Sequence, residues 1–133
     1  MMKAIRNGIL ILPDECGRFT AQTELVLCYD ERIARIVPAT EFSAADVDEV
    51  IDAAGAYVSP GFLNVHIHGA DGADTMDEDA DALGKIAAFQ TRTGVTSFLP
   101  TTMTCAFDAV ERALVRIRRA MTGRTNGARI LGA

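Results

Sequence analysis

The chain has 133 residues, 49% of them hydrophobic, and a formal net charge of −5. That length supports one core or parts of two, and falls short of a whole eight-stranded α/β barrel, which needs about 250 residues. The acidic balance argues against a nucleic-acid partner, since phosphate-backbone binders carry basic patches.

Near the start, Lys3 and Arg6 precede the short apolar run Gly8 to Leu12, which is less than a signal-peptide core and far less than a membrane span. No export or membrane signal is expected. Cys16, Cys28 and Cys105 are odd in number, widely spaced and without a CxxC, which suits reduced thiols in a cytoplasmic protein. The first part reads as β. Lys3 to Leu12, Glu24 to Tyr29 and Arg32 to Val37 are apolar or alternating runs separated by Pro13-Asp14 with Gly17 and by Asp30-Glu31, and look like hairpins of a small sheet. A short helical turn is expected at Ser43 to Asp46, then further strand at Val50 to Asp52 and Ala56 to Val58 around Gly55.

At Pro60-Gly61 the pattern changes to alternating strand and helix. Phe62 to Ile67 reads as strand, and Asp79 to Thr93 as a helix with Leu83, Ile86, Ala87 and Gln90 or Phe89 inward, closed by Gly94. Val95 to Leu99 is the next strand, stopped by Pro100. Thr104 is the candidate cap of a second helix whose Phe107, Val110, Leu114, Ile117 and Met121 form the expected inner stripe. Ala128 to Leu131 begins a third strand. Strands and helices alternating at this spacing imply an α/β fold with a parallel sheet.

The chemistry concentrates in PGFLNVHIHG, residues 60–69, which holds the only two histidines, His66 and His68. Side chains two apart on a strand share a face, so the imidazoles should converge, with Phe62 and Asn64 beside them and Leu63, Val65 and Ile67 packing on the other face. Two neutral imidazoles at the carboxyl end of a strand suit a divalent metal. A catalytic zinc usually takes three protein ligands, so either a carboxylate helps or the chain is incomplete. The competing reading is a hydrogen-bonded histidine pair beside a turn.

Other candidates have ordinary readings. The carboxylates Asp71, Asp74, Asp77, Glu78, Asp79 and Asp81 fail the EF-hand pattern, because the sixth and twelfth positions counted from Asp77 are Ala82 and Ala88. A solvated loop whose Asp77 or Asp79 caps the next helix is expected instead. Arg112, Arg116, Arg118, Arg119 and Arg124, with Asp108 and Glu111 among them, read as a solvated helix face rather than a phosphate patch. Thr101, Thr102 and Thr104 belong to the same rim as the histidines, where they would line a site or serve loop hydrogen bonds.

VSPGFLNVHIHGADGADTMD, GVTSFLPTTMT and GARILGA together closely resemble the start of the N-acetylglucosamine-6-phosphate deacetylases of the amidohydrolase superfamily, and the likeness runs over nearly the whole chain. PGF followed by HxH marks the superfamily broadly, whereas HGADGADTMD with FLPTTMT points to these deacetylases. IRNGILILPD and ERIARIVP look like the first strands of the small β-sandwich that such enzymes build from both chain ends.

The resemblance implies the start of a (β/α)8 amidohydrolase barrel over residues 59–133, preceded by part of a β-sandwich domain over residues 1–58. It implies a cytoplasmic, homodimeric enzyme that releases acetate from N-acetylglucosamine 6-phosphate in amino-sugar catabolism, with a water activated by zinc or iron as the nucleophile. His66 and His68 match the first-strand metal ligands, while Asn64 stands where many superfamily members have Asp. The family's later ligands, its catalytic aspartate and its substrate-phosphate ligands find no counterpart here. The chain is therefore expected to be an amino-terminal fragment, inactive alone and prone to self-association. Other readings are a different amidohydrolase, such as an adenine deaminase or a dihydroorotase-like cyclic amidase, and a non-catalytic oligomerising protein.

Overall fold

The computed structural model describes residues 1–123 and 125–133, which form two compact units, Met1–Pro60 and Gly61–Ala133. Arg124, grouped above with the helix-face arginines, lies outside the described residues.

The first unit consists of β1 (Lys3–Arg6), β2 (Ile9–Pro13), β3 (Phe19–Gln22), β4 (Leu25–Tyr29), β5 (Ile33–Pro38), β6 (Glu49–Asp52) and β7 (Tyr57–Val58). The run expected from Lys3 to Leu12 is two strands, because Asn7 takes a positive φ of 58° and turns the backbone before Gly8. These strands then enter different sheets, ordered β5-β4-β1-β6 and β3-β2-β7. Neighbours in chain order pair as antiparallel hairpins, β2 with β3 and β4 with β5, as the turn residues suggested. The pairings of β1 with β6 and of β2 with β7 are parallel. The strand β3 was not expected: FTAQ is only four residues long and mostly exposed, and it owes its place to pairing with β2. The helical turn came out at Ala44–Asp46, with the Ser43 hydroxyl accepting from the Ala45 N–H. A small core of Ala4, Val26 and Cys28 is flanked by Met2, Val37, Phe42 and Val47.

The second unit consists of β8 (Phe62–Ile67), β9 (Gly69–Ala70), β10 (Ala73–Asp74), α1 (Ala82–Arg92), β11 (Val95–Pro100), α2 (Phe107–Thr122) and β12 (Arg129–Ile130). The sheet is ordered β12-β11-β8 with both pairings parallel, as the alternation of strands and helices implied. Its core joins Leu83, Ile86 and Ala87 of α1, Phe98 of β11, Ile117 of α2, and Ala128 with Ile130 at β12.

Both helices begin later than the sequence suggested. α1 starts at Ala82 rather than Asp79, because Asp79 closes a preceding turn in which its carboxylate accepts from the Asp81 N–H and its carbonyl from the Ala82 N–H. α2 is preceded by Ala106 and has no side-chain cap, so Thr104 does not cap it. The inner face of α2 is also turned relative to expectation. Ala113 and Ile117 are buried, with Ala120 against the same core, while Phe107, Leu114 and Met121 are exposed.

Candidate metal centre

The histidines stand at the carboxyl end of β8, where the strand passes into a tight hairpin. Asp71 and Gly72, both at positive φ, form the two-residue turn between β9 and β10. This Asp-Gly turn matches the twist of paired strands, so the segment read as a flexible loop is a hairpin. A side chain at Gly69 would collide with the Ala73 carbonyl and the Asp74 backbone, which restricts that position to glycine. The hairpin is tied back to the site by the Thr75 N–H, which donates to the His68 carbonyl at 2.7 Å.

The two imidazoles meet edge to face, with centroids 4.8 Å apart and an interplanar angle of 89°. Their Nε2 atoms are 3.2 Å apart. Two nitrogens bound at about 2.0–2.1 Å to one tetrahedral metal lie roughly 3.3 Å from each other. The separation therefore fits a pair of ligands to a single ion. His68 Nδ1 lies 3.0 Å from the Thr101 carbonyl oxygen. A carbonyl only accepts, so Nδ1 carries the proton and the lone pair of the neutral ring is at Nε2, toward His66. Fixing the tautomer from the far nitrogen in this way is how proteins prepare histidine ligands.

Of the three threonines, Thr101 has a structural role at this rim. The Thr101 hydroxyl accepts from the Ile67 N–H at 3.2 Å and donates to the Leu99 carbonyl, and its N–H bonds the Ile67 carbonyl at 2.7 Å, so it fastens the ends of β8 and β11 together. Its use of a main-chain carbonyl toward His68 has no signature in sequence.

The expected division of faces along β8 needs correction. Asn64 was placed with the histidines, but its side chain turns to α1, where its Nδ2 donates to Gln90 Oε1 at 3.0 Å. Ile67 packs on the core, whereas Leu63 and Val65 are 54% and 63% exposed rather than covered by helices. The cause is a register shift against β11, which breaks the period-two alternation between Asn64 and Ile67.

The acidic run supplies no further ligand. Asp74 accepts from the Met76 N–H, Asp77 from the Asp74 N–H, and Asp79 from the Asp81 N–H and Lys85, while Glu78 pairs with Arg112. These bonds hold the Asp79 carboxyl below its ordinary range, the Asp81 N–H first and Lys85 second. Among the described residues no three His, Cys, Asp or Glu side chains gather as a metal site. Arg116 donates to the Met76 carbonyl at 3.0 Å, and Arg112 pairs with Asp108, so these two arginines brace the loop and the helix. No helix among the described residues is long and apolar enough to cross a membrane.

No family model matches the chain. Curated relatives do. It is 40% identical over 73 residues to N-acetylgalactosamine-6-phosphate deacetylase of Escherichia coli O157:H7, covering 55% of this chain and 19% of that protein. It is 36% identical over 103 residues to N-acetylglucosamine-6-phosphate deacetylase of Lysinibacillus sphaericus, covering 77% of this chain and 26% of the relative. A dihydroorotase of Lactobacillus helveticus is 41% identical over 88 residues, covering 66% of this chain and 18% of the relative. In fold, the chain matches the crystal structure of N-acetylglucosamine-6-phosphate deacetylase from Pasteurella multocida with a TM-score of 0.80 at 23% identity, over 96% of this chain and 32% of that one. The chain thus spans about a fifth to a quarter of the length of the curated relatives it matches. Over that fraction of their length, it is a homologue of the N-acetylglucosamine-6-phosphate deacetylases.

Proposed function

We propose that residues 59–133 are the opening strands and helices of a (β/α)8 hydrolase barrel, that residues 1–58 supply part of a β-sandwich, and that the enzyme built on them deacetylates N-acetylglucosamine 6-phosphate. The products are glucosamine 6-phosphate and acetate, in cytoplasmic amino-sugar catabolism. The observation that carries this reading is the approach of His66 Nε2 and His68 Nε2 to 3.2 Å at the end of a parallel strand. The deacetylase names of the relatives give the arrangement its substrate class.

His66 and His68 would hold a divalent cation, zinc or iron, from one side, with further ligands coming from beyond the described residues. Such an ion supplies Lewis acidity toward a water and an amide carbonyl. The chain's own contribution is to hold the His68 lone pair toward His66: Thr101 keeps the His68 proton on Nδ1, and the hairpin after Gly69 fixes the end of the strand. The exposed apolar side chains Leu63, Val65, Phe107, Leu114 and Val115 support burial against further protein, in a completed barrel and in a homodimer.

The dihydroorotase relative favours a second reading, a cyclic amidase. Enzyme expressed from the full reading frame that carries these residues decides between them. Acetate release from N-acetylglucosamine 6-phosphate is expected, falling by orders of magnitude in His66→Ala/His68→Ala; unchanged turnover in that variant would refute the assigned role. Hydrolysis of dihydroorotate without acetate release would establish the cyclic amidase. The 133-residue chain alone is expected to release no acetate, because it holds only part of the metal shell.

A further inference from the structure

A spacing of two puts both imidazoles on one side of a strand in any case, and they face away from α1 because β8 is not a regular strand. Asn64 pairs with Phe98 and Ile67 with Pro100, so Val65 and His66 together face the single residue Leu99. This is a β-bulge, in which one extra residue reverses the facing of every side chain that follows. In a regular strand the period of two would carry His66 and His68 to the same side as Asn64. That side is the one against α1, where Asn64 and Ile67 both pack.

One side chain spans the irregularity. Asn64 Oδ1 accepts from the His66 N–H at 3.2 Å, and Asn64 Nδ2 donates to Gln90 Oε1 at 3.0 Å. Gln90 is 3% exposed on α1, packed where the neighbouring inner residues Leu83, Ile86 and Ala87 are apolar. A buried amide costs free energy unless its hydrogen bonds are made, and an apolar pair would fill this space without that requirement. The amide of Asn64 makes its bonds to the backbone of the first histidine and to a fixed point on the helix.

We propose that Asn64 is a positioning residue for the histidine pair: its side-chain amide, anchored on Gln90, holds the bulge that turns His66 and His68, as a pair, away from α1. The consequence for metal binding rests on the reading of that pair as ligands, but the geometry does not. The chemistry of the amide pair predicts which replacements are tolerated. Asn64→Asp keeps an acceptor for the His66 N–H, and the Gln90 amide can turn to donate through Nε2. Asn64→Leu, of similar size, loses both bonds. Gln90→Met removes the anchor with little change in volume.

The test uses the metal-free 133-residue chain, labelled with 15N, and reads cross-relaxation between the histidine rings and the side chains of α1 and the exchange rate of the His66 amide. Wild type and Asn64→Asp are expected to show no contact of the rings with α1 and a protected amide. Asn64→Leu and Gln90→Met, with circular dichroism unchanged, are expected to gain that contact, to lose the protection and to bind Co2+ about 10–100-fold more weakly. Rings still facing away from α1 in folded Asn64→Leu or Gln90→Met would overturn the proposal, as would contact with α1 in Asn64→Asp. Should the variants fail to fold, a His66 amide exchanging as fast as a loop amide in wild type would overturn it, and protection would support it. If the variants turn the rings toward α1 while even wild type takes up no Co2+, the positioning role stands and the metal reading of this chain falls. Equal Co2+ binding by wild type and Asn64→Leu would leave the metal reading standing and refute the positioning role.

Discussion

α1 and α2 are both amphipathic, yet α1 buries Ala82, Leu83, Ile86, Ala87 and Gln90, whereas α2 buries Ala113 and Ile117 and leaves Phe107 84% exposed. The difference lies in which residues allow close approach. On α2 the buried line is Ala113, Ile117 and Ala120; Ile117 and Ala120 join the core of Ala128 and Ile130, and the alanines on either side of Ile117 let the helix come close. The larger Phe107, Leu114 and Met121 sit beside that line and are exposed. Periodicity therefore reports that a helix has an apolar side; the sizes of the residues decide which part of it meets the sheet. α1 has one neighbourhood to satisfy and spends its whole apolar side there.

Cutting the same ring from each region gives the largest contrast. Phe98 is fully buried between the helices and the sheet, so Phe98→Ala should cost about 3–5 kcal/mol in transfer and cavity terms. Phe107→Ala, at the exposed start of α2, should stay within about 0.5 kcal/mol. Urea unfolding of the two variants measures both. Equal costs would mean that the Phe107 side of α2 is covered by self-association, and the contrast between the helices would dissolve.

A second contrast concerns the contact that α1 makes with the turn before β12. The Ala128 N–H donates to the Ala87 carbonyl at 2.9 Å, and a side chain at Gly127 would run into the backbone of Ala87 and Ala88. Backbone cannot yield as a flexible side chain does. Gly127→Ala should therefore cost about 1–3 kcal/mol, in the range of overpacked cores. Gly123→Ala, whose new methyl would sit at ordinary contact distance from the end of α2, is the control and should be near neutral. Similar unfolding midpoints for the two would show that α1 is not held against the turn.

Much of this was legible in the sequence. The parallel sheet, the inner residues of α1 and the Gly94 turn follow from apolar spacing and a glycine that takes a φ of 79°. The histidines converge as their spacing demands, but on the side of the sheet opposite to the one that alternation from Asn64 gives. Alternation alone placed Asn64 beside them, and the bulge that separates them depends on the register between β8 and β11, which is a property of two strands and not of one. The Asp71-Gly72 hairpin was written in the sequence as a turn signal, yet the surrounding carboxylates made the segment look like a solvated loop. The Thr101 carbonyl beside His68 was not legible, because main-chain acceptors are the same for every residue. Of the buried line of α2, Ile117 was in the expected stripe and the alanines were not: large apolar residues outrank alanines in any hydrophobic count, although alanines permit the closer contact.

The smallest effect distinguishes the helices by how each carries a carboxylate at its entry. Asp79 before α1 is held below the ordinary carboxylate range first by the Asp81 N–H and then by Lys85; Asp108 in the first turn of α2 is held down first by the Arg112 side chain. A lowered native pKa means that the charged form is favoured on folding. The stability it adds is fully present above the unfolded value of about 3.9 and is lost as pH falls through the native value. Asp79→Asn and Asp108→Asn should therefore each destabilise slightly at pH 7 and converge on wild type in strong acid. Salt separates them. At 1 M ionic strength the screening length shortens to about 3 Å, which weakens an exposed ion pair but leaves a hydrogen bond to backbone largely intact. Urea midpoints at pH 7 should then show the Asp108→Asn difference shrinking with added NaCl while most of the Asp79→Asn difference persists. If both shrink alike, Lys85 rather than the Asp81 N–H dominates at Asp79, and the entry to α1 is an ion pair of the same kind as that on α2.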